Sequence, residues 1–467
     1  MYALNQHRCA VIFFGALFMG SQAGVLAQDS LKSTLETLYQ EEQGLPDFPD
    51  FGFMLSADSY HDRVFVLAQD FPQRKPKMDA GVKRILDIDF ETSWRDYIME
   101  VRRYVFEGNA RPDGIENSFF LEDNKVRDWF HVPWQHWGPT GREGFHGLTQ
   151  EGPINERMLG PQQTQVSHAY AVGFYNDLGG YKIGQVWADP GDPNLAVMAG
   201  GKGFPIGTVV AKLLFTTLDE TQVPYLTDPV TWQAYVYAKD VDPALPSTDT
   251  SRMQAGVQLI QMDIMVRDPR ADETGGWVFG TFVYNGEMGE KNRWANLVPV
   301  GLMWGNDPDV RVNLSNPTPT VTRQNPALKE TKINDRKELP PTHLGWGFRL
   351  NGPVDNPLSS CMSCHSTAQY PVVTSILPFL NNPPANPPAS QGAPADDYWM
   401  QWFRNIDCGH PFNPGRAIAL DYSLQLSKSI ENFVEYKTQI EQGLYSVQYW
   451  ENGNDVHRGT LKTPAKP

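Results

Sequence analysis

Six short runs between residues 183 and 304 constrain the fold more than any other feature. They are IGQVWA (183–188), GTVVAKLLFT (207–216), TWQAYVY (231–237), VQLIQMDIMV (257–266), WVFGTFVY (277–284) and LVPVGLMW (297–304). Each is rich in β-branched and aromatic residues, which suit a pleated, half-buried surface. Turn-formers such as DPGDPN and DETGG separate them. Parallel strands need helix-length crossovers, and none is read between these runs, so the sheet is expected to be mostly antiparallel. The expected class is α+β: an antiparallel β-sheet domain with helical N-terminal and C-terminal extensions.

Apolar spacing predicts the helices. Leu31, Leu35 and Leu38 predict one within 28–45, stopped by Gly44. Trp94, Ile98, Val101 and Val105 share a face and predict a second over 91–107. Leu426, Ile430, Phe433, Lys437 and Ile440 predict a third over 422–442, with Asp421 as its cap. The proline-dotted segment 305–342 reads as a surface excursion, and the Pro/Ala-rich segment 379–397 as a linker or long loop.

The start of the chain points to export. Arg8 precedes an apolar run from Cys9 to Gly20, and small residues follow up to Ala27. That is the pattern of a signal peptide cleaved after Ala27; a retained anchor is the competing reading. The run is shorter than the roughly 20 residues that span a bilayer. The expected division is a signal peptide (1–27), a helical and loop region (28–160), a β-rich domain (161–375) and a Pro-rich segment with the final helix (376–467). The mature protein is expected in the periplasm without stable membrane insertion. A net charge of −15 argues against nucleic acid and anionic membrane surfaces as partners.

After cleavage three cysteines remain: Cys361, Cys364 and Cys408. An odd number is awkward for a disulfide framework. Cys361 and Cys364 lie in CMSCH, which has the C-x-x-C-H spacing of covalent haem attachment. Two thiols at this spacing can each form a thioether to a haem, and the adjacent His365 can ligate its iron. The expectation is one covalent haem c, making the chain a mono-haem cytochrome. Two other readings stay open. Cys361, Cys364, Cys408 and His410 would make a Cys₃His zinc site, or two of the cysteines would form a disulfide.

A strong ligand opposite His365 would make an electron carrier, and an open position would allow ligand binding or catalysis. Met400 is the one methionine after His365, and its neighbours Trp399 and Trp402 also suit a core segment. His131, His136 and His146 cluster in HVPWQHWGPTGREGFHG (131–147), either as distal groups or as parts of a loop packed by its aromatics. Lys212 lies inside an apolar strand pattern, so its ammonium is either exposed at the tip or used chemically. Asp263 poses the same question, with solvation or pairing to a cation as the expected outcome.

Three segments in order, FPIGTVVAK (204–212), IMVRDPRADETGGWVFGTF (264–282) and CMSCHSTA (361–368), resemble the cytochrome P-460 and cytochrome c′-beta superfamily. IGQVWADP (183–190) is similar to a further strand of that family. The resemblance covers about residues 180–370. It implies an antiparallel β fold carrying a five-coordinate c-type haem, with hydroxylamine oxidation or nitric oxide binding among its activities. It also implies a possible haem cross-link at Lys212, the position that bears one in the oxidising members. Those members carry a distal arginine where this chain has Gly184. The expected function is redox chemistry on a small nitrogen or oxygen species, with electrons passing to a soluble carrier. A six-coordinate electron carrier and a gas-binding protein without turnover remain as alternatives.

Overall fold

The computed structural model describes residues 65–110, 119, 121–136, 141–237, 252–311, 324–374, 376, 400–441, 446–451 and 455–460. The signal peptide, the 28–45 helix and the 379–397 segment lie outside the described residues.

The architecture is α+β, built on a nine-stranded antiparallel sheet. Its strands are β1 (Trp129–Phe130), β2 (Thr149–Ile154), β3 (Ser167–Asn176), β4 (Val209–Thr216), β5 (Thr231–Tyr237), β6 (Arg252–Arg267), β7 (Trp277–Tyr284), β8 (Leu297–Met303) and β9 (Thr331–Ile333). The order is β1-β3-β4-β6-β7-β8-β9, with β2 also pairing β3 and β5 also pairing β6. The 16-residue β6 is the spine: Gln258 pairs with both Thr216 of β4 and Thr231 of β5, so β4 holds one edge and β5 and β7 share the other.

Register assigns the faces. Gly173, Lys212, Asp263, Thr281 and Gly301 form one row across β3, β4, β6, β7 and β8. Tyr175, Val210, Met265, Phe279 and Met303 form the next row on the same face. The alternating residues Phe174, Ala211, Ile264 and Gly280 point to the other face.

Helices cover both faces. The pair α1 (Ala80–Asp87) and α2 (Trp94–Phe106) packs together, and α2 buries Tyr97, Ile98, Val101, Tyr104 and Val105. That is the stripe expected of a helix laid on a sheet. A Cβ on Gly280 would meet Ile98 Cδ1 at 2.8 Å, so α2 lies close on the second face. The C-terminal helix α5 (Leu424–Glu441) covers the first face, where a Cβ on Gly173 would come within 1.9 Å of Gln425 Nε2. A short hairpin pairs β10 (Ser446–Glu451) with β11 (Asp455–Thr460).

Three expectations need correction. Residues 183–186 are not a strand but the end of α3 (Asp177–Val186). Asn176 caps this helix by accepting from Gly179 N, and its buried Leu178, Ile183 and Val186 supply the apolar run. Asp421 does not cap α5; Ser423 does, accepting from Leu426 N at 3.1 Å. The segment after Trp304 is not merely a surface excursion. It contributes β9 and buries Asn306, Thr331, Asn334 and Thr342.

Candidate functional site

CMSCH forms a helix of five residues, α4 (Cys361–His365). A capping box fixes its start: Ser360 Oγ accepts from Ser363 N at 3.1 Å, and Ser363 Oγ accepts from Ser360 N at 2.8 Å. Ser360 Oγ also donates to Asn306 Oδ1 at 2.9 Å, tying the helix to the turn after β8. Positions i, i+3 and i+4 share a helix face. Cys361, Cys364 and His365 accordingly lie on one half-buried side, while Met362 and Ser363 are buried on the other.

His365 has a fixed tautomer. Its Nδ1 lies 2.8 Å from the Tyr422 carbonyl oxygen, which can only accept, so Nδ1 carries the proton. Burial pushes the imidazole pKa down to about 4, which leaves the ring neutral at physiological pH. The Nε2 lone pair is therefore free of a proton. Phe279, from the second row of the sheet, packs on the imidazole with ring centroids 5.0 Å apart.

The Tyr422 carbonyl is itself held in place. Asp421 and Tyr422 are consecutive non-glycine residues with φ of 51° and 63°. The buried Asp421 carboxylate accepts from Phe204 N at 2.6 Å and Trp277 Nε1 at 3.2 Å. Tyr422 Oη donates to Ile406 O at 2.8 Å. These bonds over-determine a left-handed pair that would otherwise be unfavourable. Sequence reading missed this role because only the tertiary fold brings 421–422 to His365.

Lys212 lies in the row beside Phe279. Its Nζ is 3.1 Å from Glu151 Oε1, and its side chain keeps 29% of its exposure. It is thus an ion-paired residue rather than a free tip. Burial pushes its pKa down, but Glu151, Asp355 and Asp263 outweigh that and hold it above the ordinary lysine value. Asp263, its partner in register, is pushed up to about 7 by burial and by Asp355. Burial also drives the Cys361 thiol well up, and Asp263 and Asp355 add to the shift.

The remaining candidates are dispersed. His131 and His146 line a small cavity of about 20 Å³ with Val172 and Phe174, which alternate with Gly173. They therefore lie across the sheet from Lys212 and His365, and the structure does not bring them to the side of His365. Ala68 N donates to His131 Nδ1, and His146 stacks on Trp232 at 4.2 Å. His136 follows Trp134 and Gln135, whose carbonyls accept from Asn432 of α5. Burial lowers its pKa, and the Arg142, Lys428 and Lys212 charges lower it further. Met400 is buried, and the segment it begins packs against Asn306, Trp346 and Arg349.

Among the described residues no disulfide joins Cys361, Cys364 or Cys408. Cys408 sits instead beside Arg267, whose Nη2 donates to Sγ at 2.9 Å. Among the described residues no group of three or more His, Cys, Asp or Glu is placed to hold a metal ion. The Cys₃His arrangement is not assembled among these residues. At position 184, a Cβ would meet Phe71 Cβ at 2.5 Å, so a larger side chain has no room there. No helix among the described residues is long and apolar enough to cross a membrane.

No family model, curated protein or solved structure matches the chain.

Proposed function

We propose that the chain is an exported mono-haem c-type cytochrome, with Cys361 and Cys364 carrying the thioethers and His365 the iron. The observation that carries this reading is the shared half-buried face of α4: two thiols and an imidazole whose Nε2 is unprotonated. The residues fit the group because a c-type haem needs those two thiols and a neutral ring nitrogen on one side. A haem bound there would supply one-electron redox chemistry and a second axial position. His365 would hold the metal, and the Tyr422 carbonyl would keep the ring's orientation and raise its basicity. Phe279 would exclude water from one flank of the imidazole.

We favour redox chemistry on a small nitrogen or oxygen species, with electrons passing to a soluble carrier in the periplasm. The resemblance to the cytochrome P-460 and cytochrome c′-beta superfamily supports that choice. Hydroxylamine oxidation by the family's arginine-assisted route is not favoured, because position 184 has no room for arginine. A Lys212 cross-link is also disfavoured, because the Glu151 pair keeps the amine protonated and not nucleophilic. An electron carrier without turnover is the second reading, supported by the bonds from Asn432 of α5, the helix on the Lys212 face, to the Trp134 and Gln135 carbonyls beside His136.

The deciding experiment is a pyridine haemochrome assay with intact mass on periplasmic protein from a host that matures c-type cytochromes. One haem per chain is expected, lost in Cys361→Ser/Cys364→Ser. A colourless protein with the mass of its amino acids alone overturns the proposal. Sharp α and β bands in the reduced spectrum would select the six-coordinate carrier.

A further inference from the structure

The polar cluster on the sheet beside α4 has no part in haem attachment. Gln261 is wholly buried, and its Oε1 accepts from Val354 N at 3.0 Å, which fixes the amide's orientation. Its Nε2 then donates to Asp263 Oδ1 and Oδ2 at 2.9 and 2.8 Å, and to Asp355 Oδ2 at 3.0 Å. One amide nitrogen thus bridges two carboxylates. Thr281 Oγ1 donates to Asp263, and Gly352 N donates to Asp355 at 3.1 Å.

Charge in the cluster is unbalanced. Lys212 from β4 is shared among Glu151 from β2, Asp355 and Asp263, so three carboxylates face one cation among the described residues. Burial and the Asp355 charge, bridged to it through Gln261, favour the protonated form of Asp263. The other titratable groups facing the cluster are Cys361 and His365 on α4, His343 behind Asp355, and His136 beyond Lys212. His343 and His365 are held neutral by burial, so neither supplies the missing cation. The same carboxylates act on α4, since Asp355 and Asp263 both bear on Cys361 and Asp355 bears on His365.

We infer that Asp263 and Asp355 form a proton-binding site coupled to electron arrival at the His365 centre. The inference rests on the haem reading. A haem held by His365 would take one electron from a soluble one-electron donor. One proton passes from solvent to the aspartate pair, and reoxidation returns both. The physical cause is electrostatic: added negative charge nearby raises a carboxylate's proton affinity. Asp263 already titrates near 7, so a modest shift changes its occupancy at neutral pH.

The test is potentiometric titration of the holoprotein from about pH 5 to about pH 9. The midpoint potential should fall with rising pH across neutrality, with a slope approaching one proton per electron. Asp263→Asn and Asp355→Asn should each flatten that slope while leaving haem content at one per chain. Redox difference infrared spectra should show a carboxylic acid C=O band gained on reduction in the parent and lost in Asp263→Asn. Should one variant fail to fold, the other and the parent's infrared spectrum decide. A parent potential independent of pH overturns the coupling, as does a slope unchanged in both variants. Absence of haem in the pyridine haemochrome assay is a different failure, that of the haem reading itself.

Discussion

Asp421 shows how one side chain can govern another it does not touch. It grips Phe204 N and Trp277 Nε1, and the left-handed backbone at 421–422 then presents the Tyr422 carbonyl to His365. Asp421→Ala leaves two buried donors without an acceptor, at about 1–3 kcal/mol each. The expected result is a lower urea midpoint and a weakened axial ligand field in the optical spectrum. Asp421→Asn keeps one acceptor and should lose less of both. A spectrum unchanged in Asp421→Ala would remove its positioning role. Asp263 makes a prediction in pH. Its folded pKa, about 7, lies above the ordinary 3.8, so the native state binds more protons between those values. Stability from this group is present below about 4 and is lost as pH rises through 7. The difference in stability between Asp263→Asn and the parent, followed by urea unfolding against pH, should therefore change sign or grow in the variant's favour toward alkaline pH. A pH-independent difference would contradict the raised pKa.

Among the elements, the legible ones were those with a clean period. The strands β4, β5, β6, β7 and β8 and the helices α2 and α5 all stand where β-branched runs or i, i+3, i+4 stripes placed them. Others failed for physical reasons. The α3 helix is buried at six of its ten positions, including Gly179 and Gly180. It therefore shows no polar face, and its second half reads like a strand. All ten residues of β3 are buried, so it lacks the alternation that marks a half-exposed strand. Gly173 in that strand marks the closest approach of α5 to the sheet. Gly173→Val puts a branched side chain where Gln425 Nε2 now sits. It should undock α5, seen as faster amide hydrogen exchange across 424–438 than across α2. Equal protection in both helices would show that α5 yields without detaching. Asn432→Ala tests the other end of the same contact. It removes two bonds to the Trp134 and Gln135 carbonyls and should cost about 1–3 kcal/mol in urea unfolding.

At the scale of the whole molecule, the sheet is a partition, and this decides which histidines share a side with His365. The CMSCH motif was legible because its spacing is local, and a short helix turns that spacing into a shared face. The distal side was not legible, because it depends on which side of the sheet each residue lands. His131, His136 and His146 sit within 16 residues in sequence. Yet His131 and His146 line the Val172 and Phe174 face, while the Trp134 and Gln135 carbonyls beside His136 are bonded to α5 on the other. His131→Phe and His146→Ala should therefore lower thermal stability through the packing around Trp232 and Phe65, with the haem spectrum unchanged. His365→Ala should displace the Soret band and weaken haem retention during maturation. His136→Ala discriminates between the two functional readings. If His136 is the second strong ligand, the variant loses the sharp low-spin bands of the reduced protein and gains affinity for carbon monoxide. If the second axial position is open, neither changes. A Soret shift in His146→Ala as large as that in His365→Ala would break the partition, because no route around the sheet brings that ring to the same metal.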